Sequence, residues 1–164
     1  MTDMTDAEVS AVDFAVVAYR DEGDWSVAEL PGRALDDVET IARELRRYPG
    51  ENGALAMISV DEDFVLVVRV QGSLVRVLLS DASAATDWAL ARSAVVHLGV
   101  HVDVDDEQAP AGDLGIVADM GFSAAEMGAL LDDYDLYPDE ILGDIAHKLG
   151  FGALYEDTVG VAAP

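Results

Sequence analysis

The chain has no cysteine, which excludes disulfide staples, thiolate nucleophiles, thiolate-ligated zinc and iron–sulfur clusters together. It has a single lysine, Lys148, beside eight arginines, against 33 acidic residues, for a formal net charge of −24. That balance repels phosphate backbones and anionic headgroups, so direct binding to nucleic acid or a membrane surface is not expected. Long apolar runs are also missing: stretches such as Phe64 to Val68 stop at five residues, far below the ~20 that span a bilayer. The start, Met1 to Glu8, is acidic and lacks the basic region and apolar run of a secretory signal, so a cytoplasmic protein is expected. What is plentiful is apolar: 51% of 164 residues. A chain of this length is expected to form one domain with room for an appended subdomain, and to bury roughly 70% of its unfolded surface. Alanine and valine fill 25 and 21 positions, a bias that fits a GC-rich bacterial genome.

Charge divides unevenly along the chain. Residues 93–164 hold 15 acids and only Lys148, whereas residues 1–92 hold 18 acids and all eight arginines. Between them, 99–112 is acidic and punctuated by Pro and Gly, and reads as a linker or loop. The expected organisation is a disordered N-terminus (1–11), an α+β sheet domain (12–98), that linker, and a helical C-terminal subdomain (113–160).

Local patterns order the elements as β-β-α-β-β-β-α, an antiparallel sheet of about five strands followed by a small α-helical part. Residues 12–20 and 24–30 flank the turn Asp21-Glu22-Gly23 and predict a hairpin. Leu35, Val38, Ile41, Ala42, Leu45 and Tyr48 step by three and four, with Asp36 and Glu39 as a capping box and Pro49-Gly50 as the stop. Arg43, Arg46 and Arg47 then suit the negative end of that helix dipole. Ala54–Val60, Phe64–Val70 and Ser73–Ser80 form a meander. A two-residue turn at Gln71-Gly72 would pair Val70 with Ser73, Arg69 with Leu74 and Val67 with Arg76. One sheet face then carries Val65, Val67, Arg69, Leu74, Arg76 and Leu78, and needs a cover from this chain's helices or from another protein. Further helices are expected over 87–98, after the capping box Ser123-Ala-Ala-Glu126 with its stripe through Leu130, Leu131 and Tyr134, and from Pro138 to a stop at Gly150.

Chemistry-bearing patterns are sparse. His97 and His101 stand four apart, but Gly99 interrupts the segment and no third ligand follows; His147 falls in the last turn of a helix. The acid clusters Asp103, Asp105, Asp106, Glu107 and Asp132, Asp133, Asp135, Asp139, Glu140 fit no calcium loop and read as solvated faces. The G-x-S-x-G, H-E-x-x-H, P-loop and G-x-G-x-x-G patterns are missing. No catalytic residue, cofactor site or metal site is assigned. Trp25 and Trp88 read as core or core edge, with Trp88 also able to anchor an interface after its polar loop.

In order, Val12 to Gly23, Leu45-Arg-Arg-Tyr-Pro-Gly50, Ile58 to Phe64, Leu78-Leu-Ser-Asp81 with Asp87-Trp-Ala-Leu-Ala91, Pro110-Ala-Gly-Asp113, and Leu136 to Glu140 with Leu149-Gly-Phe-Gly152 resemble the actinobacterial tRNA adenosine deaminase-associated protein family. The likeness runs over about residues 12–160. It implies a setting beside a tRNA-editing deaminase and carries over no catalytic residues. A zinc deaminase needs H-x-E and P-C-x-x-C, and this chain has neither.

A non-catalytic acidic protein-binding or regulatory module is therefore expected, its partner a cationic protein surface such as that of a tRNA adenosine deaminase. The alternative is a small-molecule or divalent-metal-binding domain. The candidate interface comprises Arg69, Arg76, Val67, Leu74, Trp88, Asp132, Asp133 and Asp135. A homodimer would follow if the arginine face were buried across a two-fold axis.

Overall fold

The computed structural model describes residues 12–48, 53–100, 109–133 and 135–160. The expectations for the N-terminal 1–11, the stop at Pro49-Gly50, His101, the acids Asp103, Asp105, Asp106 and Glu107, and Tyr134 lie outside the described residues.

The fold is α+β: a six-stranded antiparallel sheet with helices on both faces. The strands are β1 (Val12–Asp21), β2 (Asp24–Glu29), β3 (Ala54–Val60), β4 (Phe64–Gln71), β5 (Leu74–Leu79) and β6 (Ala111–Gly112). The α-helices are α1 (Val38–Leu45), α2 (Ala89–Leu98), α3 (Ala124–Leu131), α4 (Pro138–Leu149) and α5 (Gly152–Val159). The sheet order is β2-β1-β3-β4-β5-β6, each neighbour antiparallel.

Strands β3 and β4 lie in the middle and, apart from the half-buried Gln71, are buried on both sides, which is why Ala54–Val60 and Phe64–Val70 read as near-continuous apolar runs instead of alternating ones. One face sends Val17, Ala56, Ile58, Leu66, Val68 and Val77 toward α1 and α2. The other sends Val16, Leu55, Met57, Val65, Val67 and Leu78 toward Ile116, Val117 and the helices α3, α4 and α5. The chain's own C-terminal part thus supplies the cover that the arginine-bearing face needs.

Several local expectations shift by small amounts. The β4–β5 turn uses Gly72 and Ser73, so Gln71 pairs Leu74, Arg69 pairs Arg76 and Val67 pairs Leu78. The slip moves each partner by two residues and leaves every side chain on its expected face. Helix α1 is capped by Asp37, not Asp36: the Asp37 carboxylate accepts from the Thr40 backbone N–H and hydroxyl, each at 2.8 Å. Ser93 Oγ, 3.1 Å from the Val38 N–H, satisfies another free donor and ties α1 to α2. The capping box at Ser123 and Glu126 forms as expected, as does the Pro138 start of α4 and its left-handed stop at Gly150. Gly112 sits at φ 108 against the Val77 carbonyl, and β6 there closes the β5 edge with a two-residue strand.

Helix α5 is an addition to the expected elements. Its Tyr155 is buried, donates to the Asp139 carbonyl at 2.9 Å, and meets Phe14 edge-on with ring centroids 5.7 Å apart. Trp25 secures the same corner: its indole N–H donates to the Leu149 carbonyl at 3.1 Å and its ring leans on Phe151. Among the described residues, no helix is long and apolar enough to cross a membrane.

Candidate functional site

Arg69 and Arg76 stand directly opposite each other on β4 and β5. Like charges so placed repel unless each finds an anion. Both do, in the segment that follows β6. Arg69, 1% exposed, reaches Asp119 through two N–H···O contacts, at 2.5 and 2.9 Å, and donates to the Ile116 carbonyl at 2.8 Å. Arg76 donates Nε–H to Asp113 at 2.7 Å and a terminal N–H to the Gly115 carbonyl at 2.8 Å. The guanidinium beside Asp119 holds that carboxyl below its ordinary value of 3.8. These two arginines clamp residues 113–119 across the sheet, and Val67, also 1% exposed, lies beneath the same cover.

The remaining candidates fall in separate places. Leu74 is 55% exposed at the end of β5. Trp88 sits on the opposite side of the sheet, where it begins α2, packs on Phe64 at a 6.2 Å centroid distance and donates its indole N–H to Asp63 at 3.1 Å. Asp132, Asp133 and Asp135 are exposed together after α3, with the Asp133 carboxylate accepting from the Asp135 N–H at 3.1 Å. Asp132 and Asp133 crowd the negative end of the α3 dipole, where carboxylates gain nothing from that helix. Their placement is not explained by helix stability.

Of these acids, Asp133 borders an open groove of about 710 Å³ between α3 and α4. Phe122, Leu130 and Leu136 supply apolar lining; Glu126, Asp133 and Asp144 supply acid. Lys148 of α4 pairs with Glu126 of α3 at 3.3 Å, joining the two helices. Hydrogen bonds from Ser123, followed by the lysine, keep the Glu126 carboxyl below its usual range. His147, expected merely to end its helix, contacts Glu156 of α5 at 3.1 Å. The groove could not be read from spacing, because Phe122 and Leu130 carry only the staple and stripe pattern of an ordinary helix.

A second cleft separates α1 from α2. Arg92, Val96 and His97 line it from α2, and Arg43, Arg46 and Val75 line its other end. Among the described residues, no group of three or more His, Asp or Glu side chains is arranged to hold a metal ion.

The family model of the Rv3753c-like tRNA adenosine deaminase-associated protein matches residues 13–152. Protein Rv3753c of Mycobacterium tuberculosis (strain ATCC 25618 / H37Rv) is 36% identical over 142 residues, covering 84% of this chain and 82% of that protein. No solved structure matches the chain. The match takes in the whole sheet, the arginine clamp and both helices of the acidic groove, and the chain belongs to the Rv3753c-like tRNA adenosine deaminase-associated protein family.

Proposed function

We propose that this chain is a non-catalytic, acidic protein-binding module that acts in the cytoplasm with a tRNA adenosine deaminase, in the setting of tRNA modification. The observation that carries the reading is the family match over residues 13–152, whose description names that association. Charge supports it physically. An enzyme that grips tRNA must present cations to a polyanion. A body of net charge −24 is attracted to that same surface and repelled by the RNA itself.

The groove between α3 and α4 is the docking surface this reading favours. Apolar side chains in the groove supply burial, and Asp133 and Asp144 with the adjoining Asp132 and Asp135 supply steering. Docking there competes with tRNA for the deaminase or regulates its access.

Calorimetric titration of the chain into the neighbouring deaminase, at low and at moderate salt, tests the proposal. Binding is expected at low salt, with affinity falling as salt rises. Asp133→Asn with Asp144→Asn should weaken it several-fold, mainly through the association rate. Absence of binding at tens of micromolar, about −6 kcal/mol, overturns the reading, as does tight capture of tRNA by the chain alone.

A further inference from the structure

The cationic side chains of this chain are few, and most are committed. Arg69 and Arg76 hold the clamp, Arg47 pairs with Glu44, Lys148 with Glu126, and Arg20 lies over the Trp25 ring at 4.8 Å. Arg92, exposed on α2, donates Nε–H to the Ala85 carbonyl at 3.2 Å. Arg33, exposed before α1, and Arg43 and Arg46 are not so committed, and the last two stand together. Among the described residues neither guanidinium has a hydrogen bond or an ion pair, although Glu39 stands one turn before Arg43 on the same helix and 33 acids were available to this sequence. Nor do their side chains bond the last carbonyls of α1, where the Arg46 backbone N–H reaches the Ala42 carbonyl at 3.2 Å.

Both line the cleft between α1 and α2. One end of it, about 260 Å³, is bounded by Val38, Glu39, Arg43, Arg46, Val75 and His97. The other, about 250 Å³, shares Val38 and His97 and adds Arg92, Ser93 and Val96. Val96 is 73% exposed, the most exposed of the large apolar side chains described. Two acids also border the cleft. Asp37 is occupied as the α1 cap, and the exposed Glu39 lines both ends, one carboxylate against the guanidiniums of Arg43 and Arg46 at one end and of Arg92 at the other.

We propose that this cleft binds a small organic phosphate, the phosphate held by Arg43 and Arg46 beside His97, and the carbon body lying along Val75 and Val96. A guanidinium already satisfies both oxygens of a carboxylate, whereas two unpaired guanidiniums three residues apart, with an imidazole near, match the three free oxygens of a phosphate monoester. A polynucleotide is disfavoured, because its further phosphates would lie against the surrounding acids within the ~8 Å screening length. The combined space suits a mononucleotide. This inference is independent of the docking groove, which lies on the other face of the sheet.

The test is an amide NMR titration of the full chain with adenosine monophosphate, adenosine, inorganic phosphate and a short oligoribonucleotide. The expected result is millimolar or tighter binding of the monophosphate, with shifts centred on Arg43, Arg46, Val96 and His97. The Arg43→Gln, Arg46→Gln double variant should bind at least about tenfold more weakly, while Arg47→Gln binds as the wild type does. Both variants alter exposed positions at the end of α1, and their spectra report folding directly. Any of four outcomes overturns the proposal: no shifts at about 10 mM monophosphate, shifts retained in the double variant, adenosine or inorganic phosphate binding as well as the monophosphate, or preferential binding of the oligonucleotide.

Discussion

Arg69 and Asp119 are joined end on, fork to fork, across fifty residues of chain, with the guanidinium 1% exposed and the carboxylate 48% exposed. The asymmetry decides which partner matters more. Loss of the carboxylate strands a buried cation, while loss of the arginine returns a half-exposed anion to water. Asp119→Ala is therefore expected to cost about 2–4 kcal/mol and Arg69→Met about 1–2 kcal/mol less than that. Urea midpoints of the two variants check the order, which reversed costs would contradict.

The same pair sets a pH dependence. Arg69 lowers the Asp119 carboxyl below its ordinary 3.8, so the unfolded chain binds the proton more readily than the folded one. The contribution is fully present above about pH 5 and is lost as pH falls through the folded value. General acidification also relieves the repulsion of a −24 chain, so the difference between wild type and Asp119→Asn isolates the effect. That difference should shrink from pH 6 toward pH 3.

Tyr155 gives the opposite sign. Burial, then the nearby Asp139 and Glu156, push its phenol well above the ordinary 10.0. The folded chain retains the proton that the unfolded chain gives up, so this stability is intact below pH 10 and lost above it. Tyr155→Phe should remove that alkaline loss and cost about 1 kcal/mol at neutral pH, the net worth of the bond to Asp139. Denaturant curves at pH 7 and pH 10.5 check both.

Gly112→Ala should detach β6. A Cβ at φ 108 would strike the Val77 carbonyl, and the adjoining bond from the Asp113 N–H to that carbonyl, 2.9 Å, would go with it. The expected cost is about 2 kcal/mol or more, with amide exchange accelerating first in residues 111–117.

Much of the fold was legible, and the reasons are local. Ser123 with Glu126 and Pro138 with Gly150 announce helix ends through chemistry carried within a few residues. Arg69 and Arg76 share a face even under the wrong turn, since a two-residue slip preserves strand parity. Asp36 and Asp37 are adjacent carboxylates, and the Thr40 N–H and hydroxyl, both accepted by Asp37, separate them. Helix α5 escaped because Gly152 opens it and Tyr155 alone marks its buried face. The clefts escaped for a different reason: Arg43 and His97, like Leu130 and Asp144, come to line one cleft only after separate helices have packed.

One sheet serves as the common wall of two rooms, furnished by different stretches of chain. A truncated product ending before residue 113 would leave Met57, Val65, Val67 and Leu78 as a bare apolar plane studded with two unmatched arginines. Such planes stack on their own copies, so partial synthesis or proteolytic nicking yields clumped material in place of a smaller working piece.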